Sequence, residues 1–329
     1  MNEPATDLAQ PSPGSATLTG QEPFFLVMNT GSGSGDSDTI QDTIATAMAA
    51  ANRRYELLVV TDGSGPIDTA RQALRLAQQQ SGIVVAVGGD GTLNAVCQVV
   101  LGSGVPFGAL PQGTFNYFGR SFGIPQDTAL AMRGLLDAVI KPVNVGLVND
   151  RVFLVNASLG LYPQLLEDRE AFKQRFGRSR LVALGSALVT LLKAHRQLRV
   201  QIESDGETRQ LRTPTIVVDN NALQLEHMGL QEPAELARHH LVAITSKPTG
   251  RLALYGLLVR GLLSRLGEDE HVISFGFDTM TVRLGPGRRR TKVAMDGEIS
   301  WLRSPLVFSV AQHQLPLLVP RDPTLLQRA

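Results

Sequence analysis

Cysteine is almost absent from this sequence, with Cys97 the only one among 329 residues. A single cysteine cannot form an internal disulfide or supply a zinc site built on cysteines, so both are excluded. Scarcity of cysteine is typical of proteins in a reducing compartment, and we expect a cytoplasmic location.

Long apolar runs are also missing. The longest candidate, Leu181 to Leu192, is shorter than the roughly 20 apolar residues that cross a bilayer. The N-terminus lacks the basic start and apolar core of a secretion signal, so we expect neither a spanning segment nor a signal peptide. Residues 1–22 are rich in Pro, Ser, Thr, Gly and Gln and predict a disordered tail.

Net charge is nearly absent too, because 31 Lys and Arg residues are balanced by 30 Asp and Glu residues. No field of one sign attracts nucleic acid, and we expect no nucleic-acid partner. Apolar residues make up 43% of the chain, as in globular proteins, and its length suffices for two domains.

In the first half of the chain, short apolar runs alternate with helical patterns. The runs are followed by loops rich in Gly, Ser or Thr, and helices are predicted at 38–52, 67–80 and 92–101. The predicted strands are Phe24–Met28, Tyr55–Val60, Ile83–Val87 and Pro106–Leu110. This alternation predicts an α/β domain with a parallel sheet flanked by helices, and ligands bind such sheets beyond the carboxyl ends of the strands.

After residue 143 the pattern changes to many short strands, interrupted by two helical patterns at 179–196 and 251–265. It predicts a second domain that is mainly an antiparallel β-sandwich. The predicted strands are Val152–Ala157, Arg199–Glu203, Thr215–Val218, His240–Ile244, Thr279–Leu284 and Lys292–Met295. We expect domains at 23–143 and 144–305, and a segment at 306–329 whose strand returns to the first domain.

The loop Gly88–Thr92 is the most informative feature of the first domain. Its glycines allow close approach of a ligand to the backbone, and a helix N-terminus follows that suits phosphate. Asp90 would repel bare phosphate, so it indicates a magnesium ion or an acceptor hydroxyl. The alternative is an ordinary strand–helix turn with Asp90 as a helix cap.

Two further segments carry polar groups in glycine-rich surroundings. Asn29–Gly35 could cradle phosphate or be a flexible turn, and no Gly-Lys-Ser/Thr sequence of a P-loop occurs. Asp296-Gly297-Glu298 follows a predicted strand, where a carboxylate could act as a general base, or where the segment could be a plain hairpin turn.

Basic residues mark the remaining candidate surfaces. Arg288–Arg290 and Lys292 lie in a predicted loop and could contact anionic headgroups or simply face water. The two long helical patterns have apolar centres that suit core packing or lipid entry. The six histidines show no metal-ligand spacing, and we interpret them as structural or surface residues.

Taken in order, these segments resemble the diacylglycerol kinase catalytic-domain family, which includes bacterial lipid kinases and the sphingosine and ceramide kinases. Asn29–Gly33 looks like its first loop, and Gly88–Asn94 matches its signature without a gap. Leu110–Asn116 looks like its third loop, and Asp296–Glu298 matches the segment of its proposed general base. Phe153–Gly160 resembles the start of its second domain, so the resemblance covers nearly the whole chain.

The resemblance implies a lipid kinase that uses ATP and Mg²⁺ on a lipid alcohol such as diacylglycerol. It implies that Glu298 takes the proton of the lipid hydroxyl, that Asp296 supports it, and that Asp90 organises the metal. It also implies transient contact with the inner membrane surface. The nucleotide-binding residues that it implies are Asn29, Gly31, Ser32, Gly33, Thr61, Gly88, Gly89, Asp90, Gly91, Thr92, Asn94, Gly113, Thr114 and Asn116.

Three departures from the family pattern remove negative charge. Tyr117 and Asn144 stand where the family usually has Asp, and in Arg238-His239-His240 basic residues replace possible ligands of a structural magnesium ion. We therefore expect only the catalytic Mg²⁺. A soluble kinase related to NAD kinases and a homologue that binds nucleotide or lipid without turnover remain alternatives. The sequence leaves open the identity of the lipid and whether the protein forms a homodimer.

Overall fold

The computed structural model describes residues 18–31, 37–61, 63–176, 197–204, 206–230, 235–236, 238–247, 269 and 271–327. The predicted helices at 179–196 and 251–265 lie outside the described residues, as do Ser32 and Gly33.

The first domain is built on a six-stranded sheet in the order β2-β1-β3-β4-β18-β5. Its strands are β1 (Phe24–Met28), β2 (Tyr55–Val59), β3 (Ile83–Gly88), β4 (Phe107–Pro111), β5 (Ala138–Val143) and β18 (Leu315–Pro320). Strands β1 to β4 and β18 are parallel, and only β5 runs antiparallel to its neighbour β18. The parallel sheet predicted from the sequence is confirmed.

Helices cover both faces of this sheet. They are α1 (Ser37–Ala50), α2 (Pro66–Gln80), α3 (Asp90–Val100), α4 (Tyr117–Ser121) and α5 (Thr128–Leu136). Strands β1 and β3 are buried throughout because alternate side chains enter two separate clusters. Phe25 and Val84 join the cluster with α2 and α3, whereas Phe24 and Val85 join the cluster with α1 and α5. This burial explains why both strands are continuous apolar runs.

The second domain is a β-sandwich of two antiparallel sheets. One sheet has the order β10-β9-β14-β17-β6-β7, with β6 (Gly146–Val148), β7 (Arg151–Phe153), β9 (Leu198–Ser204), β10 (Glu207–Thr213), β14 (Thr279–Leu284) and β17 (Leu306–Val310). The other has the order β13-β12-β11-β8-β15-β16, with β8 (Asn156–Gly160), β11 (Thr215–Asp219), β12 (Leu241–Ser246), β13 (Val272–Phe277), β15 (Arg290–Met295) and β16 (Glu298–Arg303). Two helices accompany them, α6 (Leu161–Phe176) and α7 (Ala222–His227). A single apolar cluster takes residues from both sheets, which confirms the predicted sandwich.

The two domains share part of their core. The cluster under α2 and α3 also contains Val145, Val152, Leu154 and Val155, which belong to the start of the second domain. The chain crosses between the domains twice, after β5 and again before β18. The described residues contain no helix that is long and apolar enough to cross a membrane.

Three differences from the sequence prediction concern the bounds of predicted segments. The predicted strand at 152–157 is interrupted after Phe153 and resumes as β8, because the backbone between them turns toward Asp296. Strand β15 begins at Arg290, two residues before the predicted start at Lys292, so Arg290 lies in a strand rather than in the predicted loop. Strand β17 pairs with β14 and β6 in the sandwich, so the returning segment starts after Val310 and not at residue 306.

Candidate active site at the domain junction

Three loops meet at the carboxyl ends of β1, β3 and β4. The N–H of Gln112 donates to the carbonyl of Gly88 at 2.8 Å, which holds the second and third loops together. A Cβ added to Gly113 would lie 3.0 Å from the Cα of Gly89, so the two loops pack backbone against backbone. Glycine is needed here for close approach, as the sequence motifs indicate.

The first loop is tied to the second by side chains. The Asn29 amide donates from Nδ2 to Thr92 Oγ1 at 3.2 Å, and its Oδ1 accepts from the N–H of Gly31 at 3.2 Å. Thr92 lies in the first turn of α3, and its own N–H donates to the carbonyl of Gly89 at 2.9 Å. The predicted ligands Asn29 and Thr92 therefore lie together at the N-terminus of a helix, which is a favourable site for an anion.

The segment Asp296–Glu298 is a tight hairpin that carries both of its carboxylates to this junction. Met295 pairs with Glu298 across β15 and β16, leaving Asp296 and Gly297 as a two-residue turn. Both have positive φ, 48° and 90°, which is the signature of a type I′ turn and explains the Asp-Gly sequence. The segment is therefore a hairpin turn, and the same geometry is compatible with a carboxylate that acts as a general base.

Asp296 is anchored in the interior. Its Oδ2 accepts from Asn94 Nδ2 and the N–H of Leu154, both at 2.7 Å. Its Oδ1 accepts from the N–H groups of Val155 at 2.8 Å and Asn156 at 3.1 Å. Burial raises the pKa of Asp296, and these hydrogen bonds oppose the rise. Occupied in this way, the two carboxylate oxygens of Asp296 hold the hairpin in place.

Two side chains of α3 connect the domains. Asn94 donates to the Asp296 carboxylate and also to the carbonyl of Val152, the latter at 2.9 Å. Gln98 accepts from the N–H of Val152 at 2.8 Å and donates to the carbonyl of Asp150 at 3.2 Å. The predicted nucleotide ligand Asn94 is thus used at the domain junction.

Glu298 faces the signature loop across a cleft of about 360 Å³. A Cβ on Gly91 would collide with Glu298 Oε1, so the missing side chain at Gly91 is what admits the carboxylate. The cleft is also lined by Asn29, Thr92 and Arg151. Arg151, at the start of β7, is exposed and supplies a cation that the sequence analysis did not single out.

Asp90, at the first position of α3, lies beside this cleft, and its carboxylate contacts the start of α4. Burial raises its pKa to about 6, and the negative charge of Asp296 contributes to the rise. Backbone N–H groups from Asn116 to Phe118 oppose it. Asp90 Oδ1 is buried and has no hydrogen-bond partner among the described residues. An unsatisfied carboxylate oxygen is costly, and a cation would satisfy it.

Asn116 shapes the third loop from within. It has φ 49°, its Oδ1 accepts from the N–H of Gly113 at 2.9 Å, and its Nδ2 donates to Gln126 Oε1 at 2.6 Å. Thr61 bonds to Ser64 at the end of β2, and Thr114 is exposed on the third loop. These three predicted ligands do not line the cleft that contains Glu298.

The residues that depart from the family pattern have partners of their own. The Tyr117 ring stacks on Phe115, with centroids 6.0 Å apart, and meets His227 edge-on. Asn144 Oδ1 contacts His239 Nδ1 at 2.8 Å and accepts from Gln314 Nε2 at 3.1 Å. The carboxylate of Glu235 contacts His240 Nδ1 at 2.8 Å and Arg238 at 3.3 Å. Within the described ranges, no group of three or more His, Cys, Asp or Glu side chains could hold a metal ion.

Asp219 is a further buried carboxyl that the sequence analysis missed. It ends β11 opposite Asn156 and accepts from the N–H of Asn221 at 2.7 Å. Burial raises its pKa well above the usual range, the negative charge of Asp296 contributes, and the Asn221 N–H opposes the rise. Its Oδ2 is without a partner in the described part of the chain. A polar residue directly after the apolar run Thr215–Val218 was the available signal.

The fold and the site define a class of two-domain proteins, in which a β-sandwich brings a carboxylate to the glycine loops of an α/β domain. Comparison with known proteins gives the family. Residues 23–148 match the family model for the diacylglycerol kinase catalytic domain. A candidate lipid kinase of Staphylococcus carnosus is 36% identical over 265 residues, which span 76% of this chain and 82% of that protein. The chain belongs to the diacylglycerol kinase catalytic-domain family.

Other relatives agree with this assignment. The diacylglycerol kinase of Bacillus subtilis is 31% identical over 147 residues, which cover 44% of this chain and 48% of that one. A candidate diacylglycerol kinase from Bacillus anthracis superposes with a TM-score of 0.70 at 22% identity, covering 94% of this chain and 99% of that one, which supports the fold. The matched stretch spans 65% of a Synechocystis relative and about half of the Bacillus subtilis enzyme.

Proposed function

We propose that this protein transfers the γ-phosphoryl group of ATP to the hydroxyl of a lipid alcohol such as diacylglycerol, at the inner surface of the cytoplasmic membrane. The observation that carries the proposal is the position of Glu298, which enters the cleft from the second domain and faces Gly91 of the glycine loop. One cleft thus combines a helix N-terminus suited to phosphate with a carboxylate suited to a hydroxyl.

The phosphates of ATP would lie at the N-terminus of α3, near Asn29 and Thr92. Arg151 would neutralise phosphate charge from the second domain. Asp90 would supply the protein ligand of Mg²⁺ through its unpartnered Oδ1. Magnesium commonly takes one or two carboxylates and completes its shell with phosphates and water, and it would neutralise charge on the transferred group.

Glu298 would hold and accept the proton of the lipid hydroxyl as the new O–P bond forms. Asp296 keeps the hairpin in place through its buried hydrogen bonds and so positions Glu298. Catalysis of this kind depends mainly on positioning and on charge neutralisation.

The test is transfer of radiolabelled phosphate from ATP to diacylglycerol, monoacylglycerol, ceramide, a sphingoid base and a total lipid extract, with products identified by mass spectrometry. We expect Glu298→Gln to lower kcat by about 10²–10⁴-fold, the usual contribution of a general base, with little change in folding. The matched control is Glu56→Gln, which removes an exposed carboxylate on β2 and leaves turnover unchanged. A wild-type protein that phosphorylated none of these lipids would refute the proposal, and NAD as acceptor in the same assay tests the NAD kinase alternative.

A further inference from the structure

Trp301 is the only tryptophan of the chain, and its side chain is 57% exposed. It lies on β16, the edge strand of its sheet. A large aromatic group usually lies in a core, where its burial stabilises the fold. Tryptophan is enriched at interfaces because its ring is apolar and its N–H is polar, so this exposed side chain is a candidate contact group.

The strand register places basic residues around Trp301. Trp301 pairs with Lys292, and the next pair on the same face is Arg303 with Arg290. We call these four residues the Trp301 face. The opposite side of the same strands carries Val293 and packs into the sandwich core, so the Trp301 face points outward.

The charges on this face are unevenly compensated. Lys292 is neutralised by Glu167, whose two carboxylate oxygens lie 2.5 and 2.7 Å from Nζ, and Nζ also lies 5.5 Å from the centre of the Trp301 ring. Arg290 and Arg303 are both exposed, and neither has an acidic partner within the described ranges. Like charges placed directly opposite each other on neighbouring strands destabilise a sheet. The two arginines therefore add positive charge to this face without stabilising the pairing of the strands.

We infer that the Trp301 face docks on an anionic lipid bilayer. Tryptophan is favoured at the headgroup level of a membrane, and unpaired arginines are attracted to anionic lipid surfaces. Trp301 follows Glu298 by three strand residues, roughly 10 Å. Docking here would hold the proposed site close to the surface in which a lipid substrate resides. Only that consequence rests on the proposed function, because the docking itself requires no turnover.

Binding can be followed with the emission of Trp301, since no other tryptophan contributes. The wild-type protein is mixed, without ATP, with vesicles of phosphatidylcholine alone or of equal parts phosphatidylcholine and phosphatidylglycerol. We expect a blue shift and weaker quenching by iodide with the anionic vesicles only, and reversal at high salt. Unchanged emission with the anionic vesicles would overturn the inference.

The decisive variant is Arg290→Gln/Arg303→Gln, which keeps Trp301 and removes two charges. We expect its affinity for anionic vesicles to fall about tenfold or more, consistent with two surface charges. The matched control is Arg199→Gln/Arg212→Gln, because this second exposed cross-strand arginine pair lies on β9 and β10 in the other sheet and has no tryptophan beside it. Equal losses in both variants would overturn the inference, since the attraction would then be general. Circular dichroism checks that both variants fold.

Two more measurements distinguish membrane docking from self-association and separate it from the proposed kinase activity. A blue shift that grows with protein concentration in the absence of vesicles would assign the face to a second copy of the chain and overturn membrane docking. With a short-chain diacylglycerol in neutral detergent micelles, Arg290→Gln/Arg303→Gln should turn over at the wild-type rate, whereas on anionic vesicles it should be slower. Vesicle binding without any lipid product would leave docking intact and refute the proposed function alone.

Discussion

At the residue scale, Asp90 shows a conflict between stability and function. Its carboxylate is largely buried, close to the charge of Asp296, and its Oδ1 lacks a partner among the described residues. Native proteins seldom leave such a group unsatisfied, and the exceptions often mark functional sites. The consequence is a measurable dependence of stability on pH.

The substitution Asp90→Asn should make the protein more stable but abolish its activity. The ordinary pKa of 3.8 applies in the unfolded chain and about 6 in the folded one, so the folded state binds the proton more tightly. The stabilising effect of this proton is full below pH 4 and is lost as the pH rises through 6. At pH 8 we expect the variant to exceed the wild type by about 1–3 kcal/mol in free energy of unfolding, with almost no difference at about pH 3, below the unfolded pKa. Urea denaturation at both pH values measures this.

The control for that experiment is Asp42→Asn, which changes an exposed carboxylate on α1. Its effect on stability should be small at both pH values. A less stable Asp90→Asn protein at pH 8 would show that the contacts of the charged carboxylate with the start of α4 outweigh the cost of its burial.

The residues of the site were predicted from sequence to different degrees. Glu298 and Thr92 follow from motifs that are continuous in the chain, because a tight turn and a helix start are local structures. Asn94 and Asp296 were identified, but the hydrogen bond between them was not, because they lie 202 positions apart in the sequence. Arg151 and Asp219 have no local signal of comparable strength and appear only once the two domains are assembled.

At the scale of elements, prediction succeeded where burial leaves a strong pattern. Strands β1 and β3 are buried on both faces and were identified from their apolar runs. Strands β10 and β16 were missed because they are largely exposed edge strands with mixed polar sequences. Edge strands need few apolar residues, so their pairing depends on neighbours that are distant in the chain.

The hairpin between β15 and β16 allows a test at this scale. Gly297 has φ 90°, a conformation that a side chain disfavours, so Gly297→Ala should cost roughly 1–2 kcal/mol of stability. The same change should lower kcat, because this turn carries Glu298 into the cleft. Gly206→Ala is the matched control. Gly206 also has a positive φ, 78°, but it lies in the turn between β9 and β10 and does not line the cleft. The variants should lose similar stability by urea denaturation, and an unchanged kcat for Gly297→Ala would contradict the positioning role of the turn.

At the scale of the whole molecule, the two domains are joined through a shared core and not only through linkers. Val152 and Leu154 of the second domain pack in the cluster that contains Phe118 and Val96 of the first. Strand β18 follows the sandwich in sequence and inserts between β4 and β5. The first sheet is therefore incomplete until the second domain has been synthesised.

This connectivity predicts cooperative unfolding of both domains. Leu317 on β18 is fully buried, and Leu317→Ala should cost about 2–5 kcal/mol through the cavity it leaves. Because the core is shared, we expect amides of β14 in the sandwich to lose protection from hydrogen exchange together with amides of β3, at the same lowered urea concentration. The control Val59→Ala changes an exposed side chain on β2 and should leave the protection of both sets of amides nearly unchanged. If β3 lost protection while β14 kept its wild-type profile, the domains would unfold independently, and the carboxylate of Glu298 could then move relative to the glycine loops without global unfolding.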